Sequence, residues 1–204
     1  MYNLKLMGNF LKRWLIKKKL SDGTEKEKAN ILVEIGNARD TEFIEEMVKL
    51  AKSDPSPIVR KNAVYAIGRT GKKQYVEFIL QIAKNDSSEE VREYAGLALT
   101  EIIGREANQL ILNEIYKSKD YVVKKRLIHV LGVIGDRESP KKLIELLYSC
   151  KDIEIKKEIM RTLGLFDDEK IIPMIEDASK NEENEKVKIE ARNSIKKIKN
   201  SRFL

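Results

Sequence analysis

The strongest constraint on the fold of this chain is a repeat of 32 residues that continues along the sequence without insertion or deletion. The repeat is visible as columns of equivalent residues. One column is Val59, Val91, Val123, Ile155 and Val187, and another is Ile35, Ile67, Leu99, Leu131, Leu163 and Ile195. Internal periods of about 20 to 50 residues are typical of solenoids, in which each unit buries its apolar face only against its neighbours.

Each repeat contains two predicted helices, A and B. The apolar residues Val59, Ala63, Ala66 and Ile67 follow the period of one helical face, which we assign to helix B. Helix A carries an apolar column of its own. Every predicted start of helix B has a side-chain oxygen that can accept a hydrogen bond from a free first-turn amide. These residues are Thr24, Ser56, Ser88, Asp120, Asp152 and Asn184.

Glycines recur near the predicted ends of the B helices. We interpret them as C-terminal caps, since glycine adopts the left-handed conformation that ends many helices. They are Gly36, Gly68, Gly71, Gly132, Gly135 and Gly164. No stretch alternates with the period of two that a half-buried strand requires.

The sequence therefore predicts an all-α protein, an α-solenoid (α-α superhelix) of about six 32-residue two-helix repeats. We expect residues 1–204 to form a single solenoid. Within it, residues 1–20 are predicted to be a basic N-terminal helix or cap, residues 21–186 the core repeats, and residues 187–204 a C-terminal cap helix.

A known repeat family matches the best-preserved unit. The stretch Asp54-Pro55-Ser56-Pro57-Ile58-Val59-Arg60, with Ala63, Ala66, Ile67, Gly68 and Gly71 after it, closely resembles the short HEAT-like repeat of the phycobilin-lyase type (PBS lyase HEAT-like repeat). Its pattern is D-x-x-P-x-V-R-x-x-A-x-x-A-[LI]-G-x-x-G. The resemblance covers essentially the whole chain. It implies an armadillo-like stack of helix pairs, in a class of proteins that mostly act as binding scaffolds and include some enzymes.

The resemblance also implies a structural role for a charged column. In the family pattern, loop aspartates at Asp22, Asp54 and Asp86 pair with Lys28, Arg60 and Arg92 and with loop carbonyls, which forms a ladder along one edge. The aspartate column continues as Ser118, Cys150 and Glu182, so we expect the ladder to weaken there.

The amino-acid composition argues against the enzymes that occur among proteins with such repeats. The chain has one histidine, His129, and one cysteine, Cys150. A HEAT-repeat hydroxylase with a di-iron centre needs several His-Glu pairs, and a tetrahedral zinc site needs four ligands. No motif places a nucleophile beside His129. We predict no catalytic, cofactor-binding or metal-binding residues and no cofactor, with a weak lyase activity as the alternative. A single cysteine suits a reducing compartment, so we expect a cytoplasmic protein.

Positive charge is concentrated at the N-terminus. Residues 1–20 carry +6 of the net charge of +7, which leaves a nearly neutral body and argues against groove-long nucleic-acid binding. Basic residues interrupt the apolar residues of this N-terminal segment, so we expect residues 1–20 to be neither a signal peptide nor a membrane span. The favoured interpretation is a cap whose Leu15 and Ile16 occupy core columns.

The alternative for this segment is an amphipathic helix that docks on anionic lipid or an acidic partner. Its apolar face would carry Phe10, Leu11, Trp14 and Leu15. The contact residues would be Lys12, Arg13, Trp14, Lys17, Lys18 and Lys19.

A partner surface is predicted on the concave face, which by family resemblance is lined by helix B. Its residues are Lys61, Tyr65, Leu97, Lys125, His129, Lys157 and Arg161. A plain solvated helix face is the alternative. We predict a monomeric, non-enzymatic protein-binding scaffold or adaptor for a partner with an acidic or mixed surface. The alternatives are a lyase-like or chaperone-like helper for a cofactor-bearing protein and a nucleic-acid-binding solenoid.

Overall fold

The computed structural model describes residues 4–166 and 168–200, and this part of the chain contains helices and no strand. The helices alternate between the predicted A type (odd numbers) and B type (even numbers). They are α1 Leu4–Asp22, α2 Glu25–Ala38, α3 Ile44–Ser53, α4 Pro57–Arg69, α5 Val76–Asn85, α6 Glu89–Ile103, α7 Glu106–Lys117, α8 Tyr121–Ile134, α9 Ser139–Ser149, α10 Ile153–Leu163, α11 Ile172–Lys180 and α12 Glu185–Asn200. The predicted all-α fold of helix pairs is confirmed.

The described residues form two compact units. The first contains the chain up to Ile82 together with Asp86–Ile103, and the second contains Ala83–Asn85 and the chain from Gly104 onwards. In the first unit α4 packs against both α2 and α6, and in the second α10 packs against both α8 and α12. Successive B helices thus stack on one another within each unit, which is the packing of an α-solenoid. That all repeats form one continuous domain stays a prediction.

The predicted N-caps begin the B helices. The Thr24 hydroxyl accepts a hydrogen bond from the Glu27 amide, and the Glu27 carboxylate accepts one from the Thr24 amide, so the pair forms a capping box. Ser56 accepts from the Val59 amide, and Asp152 accepts from the Ile155 amide. These side chains satisfy first-turn amides that have no partner within the helix.

The predicted apolar columns form the core. In the first unit Val59, Ala63 and Ile67 are fully buried in α4, and Ala95 and Leu99 are fully buried at the equivalent positions of α6. Between these two repeats the 32-residue period therefore assigns the buried positions correctly.

The interpretation of most glycines as left-handed caps is wrong. Gly68 lies inside α4, and a Cβ atom built on it would stand 2.7 Å from the Ala98 Cβ of α6. Gly164 similarly meets Ser194 of α12. These glycines allow two B helices to approach closely, because a side chain would hold the helices apart. Of the six, Gly71 has the left-handed conformation that a cap requires, with φ of 66°.

Helix α1 departs from the predicted cap in one respect. Ile16 is half-buried, but Leu15, which aligns with the fully buried Met47, is 49% exposed. Among residues 10–22 of α1, Leu20 is the one that is buried. Alignment with a core column therefore does not by itself determine that a residue is buried.

Candidate functional site

The charged ladder connects consecutive repeats. Lys28 pairs with Asp54 at 3.0 Å, and Arg60 pairs with Asp86 through two contacts of 2.8 Å. Arg60 also donates to the carbonyls of Asp54 and Pro55. Each cation reaches the aspartate of the following repeat. Ion pairs and loop-carbonyl contacts thus form as the resemblance implied, but Lys28 binds Asp54 and not Asp22.

The ladder does not end where we expected. Lys156 pairs with Glu182 at 2.7 Å, so the predicted weakening at Glu182 is wrong. The longer glutamate side chain at this position of the column forms the same ion pair with lysine that an aspartate forms in the earlier repeats. Burial alone would raise the pKa of Glu182, but hydrogen bonds from Lys156 and the Asn184 amide outweigh it and lower that pKa.

Asp22, the first aspartate of the column, takes no part in the ladder: it is exposed and accepts a hydrogen bond from Ser21. The ion pairs of the ladder have a structural role, because each connects one repeat to the loop of the next.

An open groove lies between α4 and α6 in the first unit. Its volume is about 290 Å³, and its walls are the rings of Tyr65 and Tyr94 and the side chain of Leu97. Leu97 is 45% exposed. Gly68 and Ala98 bring the two helices into contact beneath these side chains. The Tyr65 hydroxyl donates to Asn37 Oδ1 at 2.6 Å, which fixes one aromatic wall.

Two guanidinium groups share one carboxylate at the end of this groove. Arg69 Nη1 lies 2.9 Å and Arg39 Nη2 3.3 Å from the same Oε1 atom of Glu101. Arg69 Nε is buried and has no hydrogen-bond partner among the described residues. Two cations and one anion leave one uncompensated positive charge beside the apolar walls, so a carboxylate would be favoured here.

Lys61 lies beside the groove and is already paired. Its Nζ atom is 2.6 Å from Glu90 Oε1 and 5.2 Å from the centre of the Tyr94 ring. The cation contacts the ring face and holds Tyr94 in place. The structure thus brings three of the predicted partner-binding residues together, since Lys61, Tyr65 and Leu97 all belong to this region.

The other predicted partner-binding residues lie in the second unit, on α8 and α10, where acids neutralise them. Arg161 pairs with Glu158 and with Glu190, each at 3.0 Å. Lys125 Nζ is 3.9 Å from Glu158, and Lys157 is 3.1 Å from Glu154. His129 is half-buried on α8. This surface therefore carries mixed charge and not the free cations that the sequence suggested.

The structure adds residues that the sequence analysis did not identify. Tyr94, Arg69 and Glu101 build the groove, and Glu90 and Glu158 neutralise the predicted cations. The sequence separation of the paired residues could have indicated these contacts. Arg69 and Glu101 are separated by the repeat period itself, and other pairs between B helices are separated by 29 residues, so contacts could have been sought near one period away.

The predicted N-terminal contact residues are spread around α1. Arg13 contacts Glu42, Lys17 lies 2.8 Å from Glu46 and Lys19 lies 3.6 Å from Glu27. Lys18 Nζ lies 5.2 Å from the centre of the Trp14 ring, and Lys12 is exposed. Arg13 and Lys17 share one side of the helix and both have acidic partners, whereas Lys12 and Lys19, seven residues apart, share another side on which only Lys19 contacts an acid.

Stacked helix pairs with short turns define an α-helical repeat protein. The family model described as HEAT repeats matches residues 13–100 and 76–156. The chain therefore belongs to the HEAT-repeat family. A search of curated proteins finds no significant match.

Among solved structures, the chain is similar to human deoxyhypusine hydroxylase in complex with glycerol. The two are 20% identical, the match covers 90% of this chain and 72% of that one, and the TM-score is 0.42. A similarity at this level says nothing about activity. Within the described residues, no helix is long and apolar enough to cross a membrane.

Proposed function

We propose that this HEAT-repeat chain is a non-enzymatic scaffold or adaptor that binds an extended segment of another protein in the groove between α4 and α6. The observation that carries the proposal is the half-exposed Leu97 between two tyrosine rings. Aromatic and aliphatic side chains grouped in a concave surface are typical anchors of protein interfaces.

The groove indicates the chemistry of the segment. A volume of about 290 Å³ lies at the small end of the range for ligand pockets and suits one large apolar side chain. The positive charge that Arg39 and Arg69 leave uncompensated favours an Asp or Glu near that side chain. A partner with an acidic or mixed surface, as predicted from the sequence, fits this arrangement.

Selection from a random peptide library displayed on phage tests the proposal. We expect enrichment of peptides in which an aromatic or aliphatic residue stands close to Asp or Glu. The variant Tyr94→Gln/Leu97→Gln should lose these peptides, because it makes the walls polar. The matched control is Tyr148→Gln, which alters a 55% exposed tyrosine in the second unit and should bind normally. Failure to enrich any sequence, or equal binding by the groove variant, would contradict the proposal.

The wider surface predicted from the sequence stays part of the proposal as a secondary contact. Lys125, Lys157 and Arg161 are ion-paired within the second unit, which favours a partner of mixed charge over a strongly acidic one. The same pairing disfavours nucleic acid, because phosphate binding depends on uncompensated Lys and Arg. A monomeric state and a cytoplasmic location remain predictions.

A further inference from the structure

Helix α1 carries a stripe of large apolar side chains in solvent. Phe10 is 70%, Leu11 55%, Trp14 51% and Leu15 49% exposed. Spacings of one and four residues place all four on the same side of a helix. Single exposed apolar residues are ordinary on protein surfaces, but a contiguous group marks an interaction site.

The stripe is not the side by which α1 is attached to the first unit. Attachment uses Leu20, which is buried, and the ion pairs of Arg13 with Glu42 and of Lys17 with Glu46. The stripe therefore remains available while α1 stays docked on its unit.

The segment of α1 that carries the stripe contains cations and no acid of its own. Residues 10–19 contain Lys12, Arg13, Lys17, Lys18 and Lys19 and no Asp or Glu. Within the described residues, Lys12 and Lys18 form no ion pair, and the Lys18 ammonium lies over the Trp14 ring. The side chains of Arg13 and Lys19 remain more than half exposed despite their acidic partners.

We propose that α1 lies on the surface of a membrane that contains anionic lipid, with Phe10, Leu11, Trp14 and Leu15 inserted among the acyl chains near the headgroups. A helix with one apolar face and basic residues beside it binds in the plane of the interface, where tryptophan is also favoured. The negative surface potential of such a membrane attracts the lysines. The apolar residues occupy one face only, so the helix lies on the bilayer and does not cross it.

A second copy of the chain fits the stripe less well than lipid does. Pairing two α1 stripes would bring together Lys12 and Lys18 of both copies, which form no ion pair within the described residues, and residues 10–19 contain no Asp or Glu to compensate them. The remaining residues, 21–204, carry a net charge of only +1, so they add little attraction or repulsion. Charge complementarity therefore selects an anionic surface.

Vesicle binding monitored through Trp14 tests the inference, because Trp14 is the single tryptophan of the chain. Full-length protein is mixed with vesicles of phosphatidylcholine alone or of phosphatidylcholine with phosphatidylserine. We expect co-flotation and a blue shift of tryptophan emission with the anionic vesicles only, both weakened by added salt. Equal behaviour with the two compositions, or no binding to either, overturns the proposal.

Variants separate the two contributions. Lys12→Gln/Lys18→Gln should lower partitioning onto anionic vesicles by about tenfold or more, since each lysine near the surface contributes to attraction. Leu11→Gln/Phe10→Gln keeps Trp14 as the reporter and should abolish the blue shift. The matched control, Tyr116→Gln/Tyr148→Gln, changes two tyrosines that are 54% and 55% exposed in the second unit, and it should bind as wild type does. Equal loss with this control contradicts a role for α1.

Two further measurements keep the result unambiguous. Circular dichroism and thermal unfolding establish that each variant is folded. The groove variant Tyr94→Gln/Leu97→Gln should bind vesicles normally, so this inference and the proposed scaffold function can fail independently. Lipid-free protein whose Trp14 emission is already blue-shifted, and which is dimeric by light scattering, would show that a second copy covers the stripe and would overturn the lipid assignment.

Discussion

Arg60 and Asp86 form a bidentate ion pair that joins two consecutive repeats, with Nε to Oδ2 and Nη2 to Oδ1 both at 2.8 Å. Their side chains are only 12% and 9% exposed. The planar guanidinium matches the carboxylate in both position and orientation, so the pair fixes the direction of approach as well as the distance. Arg92, one repeat further on, donates to the carbonyls of Asp86 and Ser87 and extends the same edge.

We predict that this pair makes stability depend on acidic pH. Burial would raise the pKa of Asp86, but hydrogen bonds from Arg60 and the Ser88 amide and the nearby positive charges outweigh it and lower that pKa. A carboxyl whose pKa is lower in the folded state stabilises the fold above its unfolded pKa of about 3.9, and this contribution is lost as pH falls through the lower folded value.

Asp86→Asn should therefore lower the free energy of unfolding by about 1 to 3 kcal/mol at neutral pH, and by less near pH 2. Urea unfolding across this pH range measures the difference. Asp22→Asn is the control, because Asp22 occupies the same column but is exposed. A pH-independent difference would contradict the assigned ion pair.

Gly68→Ala should destabilise the first unit although alanine is the better helix former. The new Cβ would lie 2.7 Å from the Ala98 Cβ and 2.9 Å from its Cα, so the backbones of α4 and α6 must separate. We expect a loss of about 2 kcal/mol in urea unfolding. The exchange Gly68→Ala/Ala98→Gly should recover part of it. Gly71→Ala also costs about 1 kcal/mol, but through its φ of 66°, and Ala98→Gly should not rescue it.

Ala95→Asp tests the register of the core. Ala95 is fully buried in α6, so the carboxylate would lose its hydration without gaining a partner. We expect a loss of at least about 3 kcal/mol and a clearly lower melting temperature. Asn30→Asp introduces the same carboxylate at an exposed position of α2 and should change stability by no more than about 0.5 kcal/mol. Similar melting temperatures for both variants would show that the register is wrong.

Arg161→Glu should destabilise the second unit because Glu158 depends on it. Glu158 is buried, and its carboxylate is 3.0 Å from Arg161 and 3.9 Å from Lys125. Reversing the charge leaves Glu158 and Glu190 beside a third carboxylate. Since Arg161 is half exposed, we expect a loss of about 1 to 2 kcal/mol that shrinks at high salt.

Lys157→Glu is the matched control on the same helix. Lys157 pairs with Glu154, which is half exposed, so the expected loss is below about 1 kcal/mol. Thermal unfolding at low and high salt compares the two variants. A larger loss of stability with Lys157→Glu than with Arg161→Glu would show that the effect of Arg161 does not depend on the buried Glu158.

The candidate site was only partly predictable. Lys61, Tyr65 and Leu97 were placed on one face of helix B by the period alone, and the structure brings Tyr65 and Leu97 to one groove with Lys61 beside it. The spacing marked the acids that these cations could reach, since Glu90 is 29 residues from Lys61 and Glu101 is 32 residues from Arg69. Which of these ion pairs form was decided by the distance between neighbouring helices, and so was the meeting of Arg39 and Arg69 at one carboxylate.

The sequence by itself determined the helices, their N-caps and most of the buried columns, because these depend on local hydrogen bonding and on a period that repeats from unit to unit. The ladder around Arg60 was implied by the resemblance to the HEAT-like repeat. Only the tertiary structure decided that Gly68 is a contact and not a cap, that Arg161 is neutralised, and that Leu15 is exposed. Each of these depends on whether a neighbouring helix is present and how closely it approaches. That separation is set by the packing of side chains between helices, which periodicity along one chain does not specify.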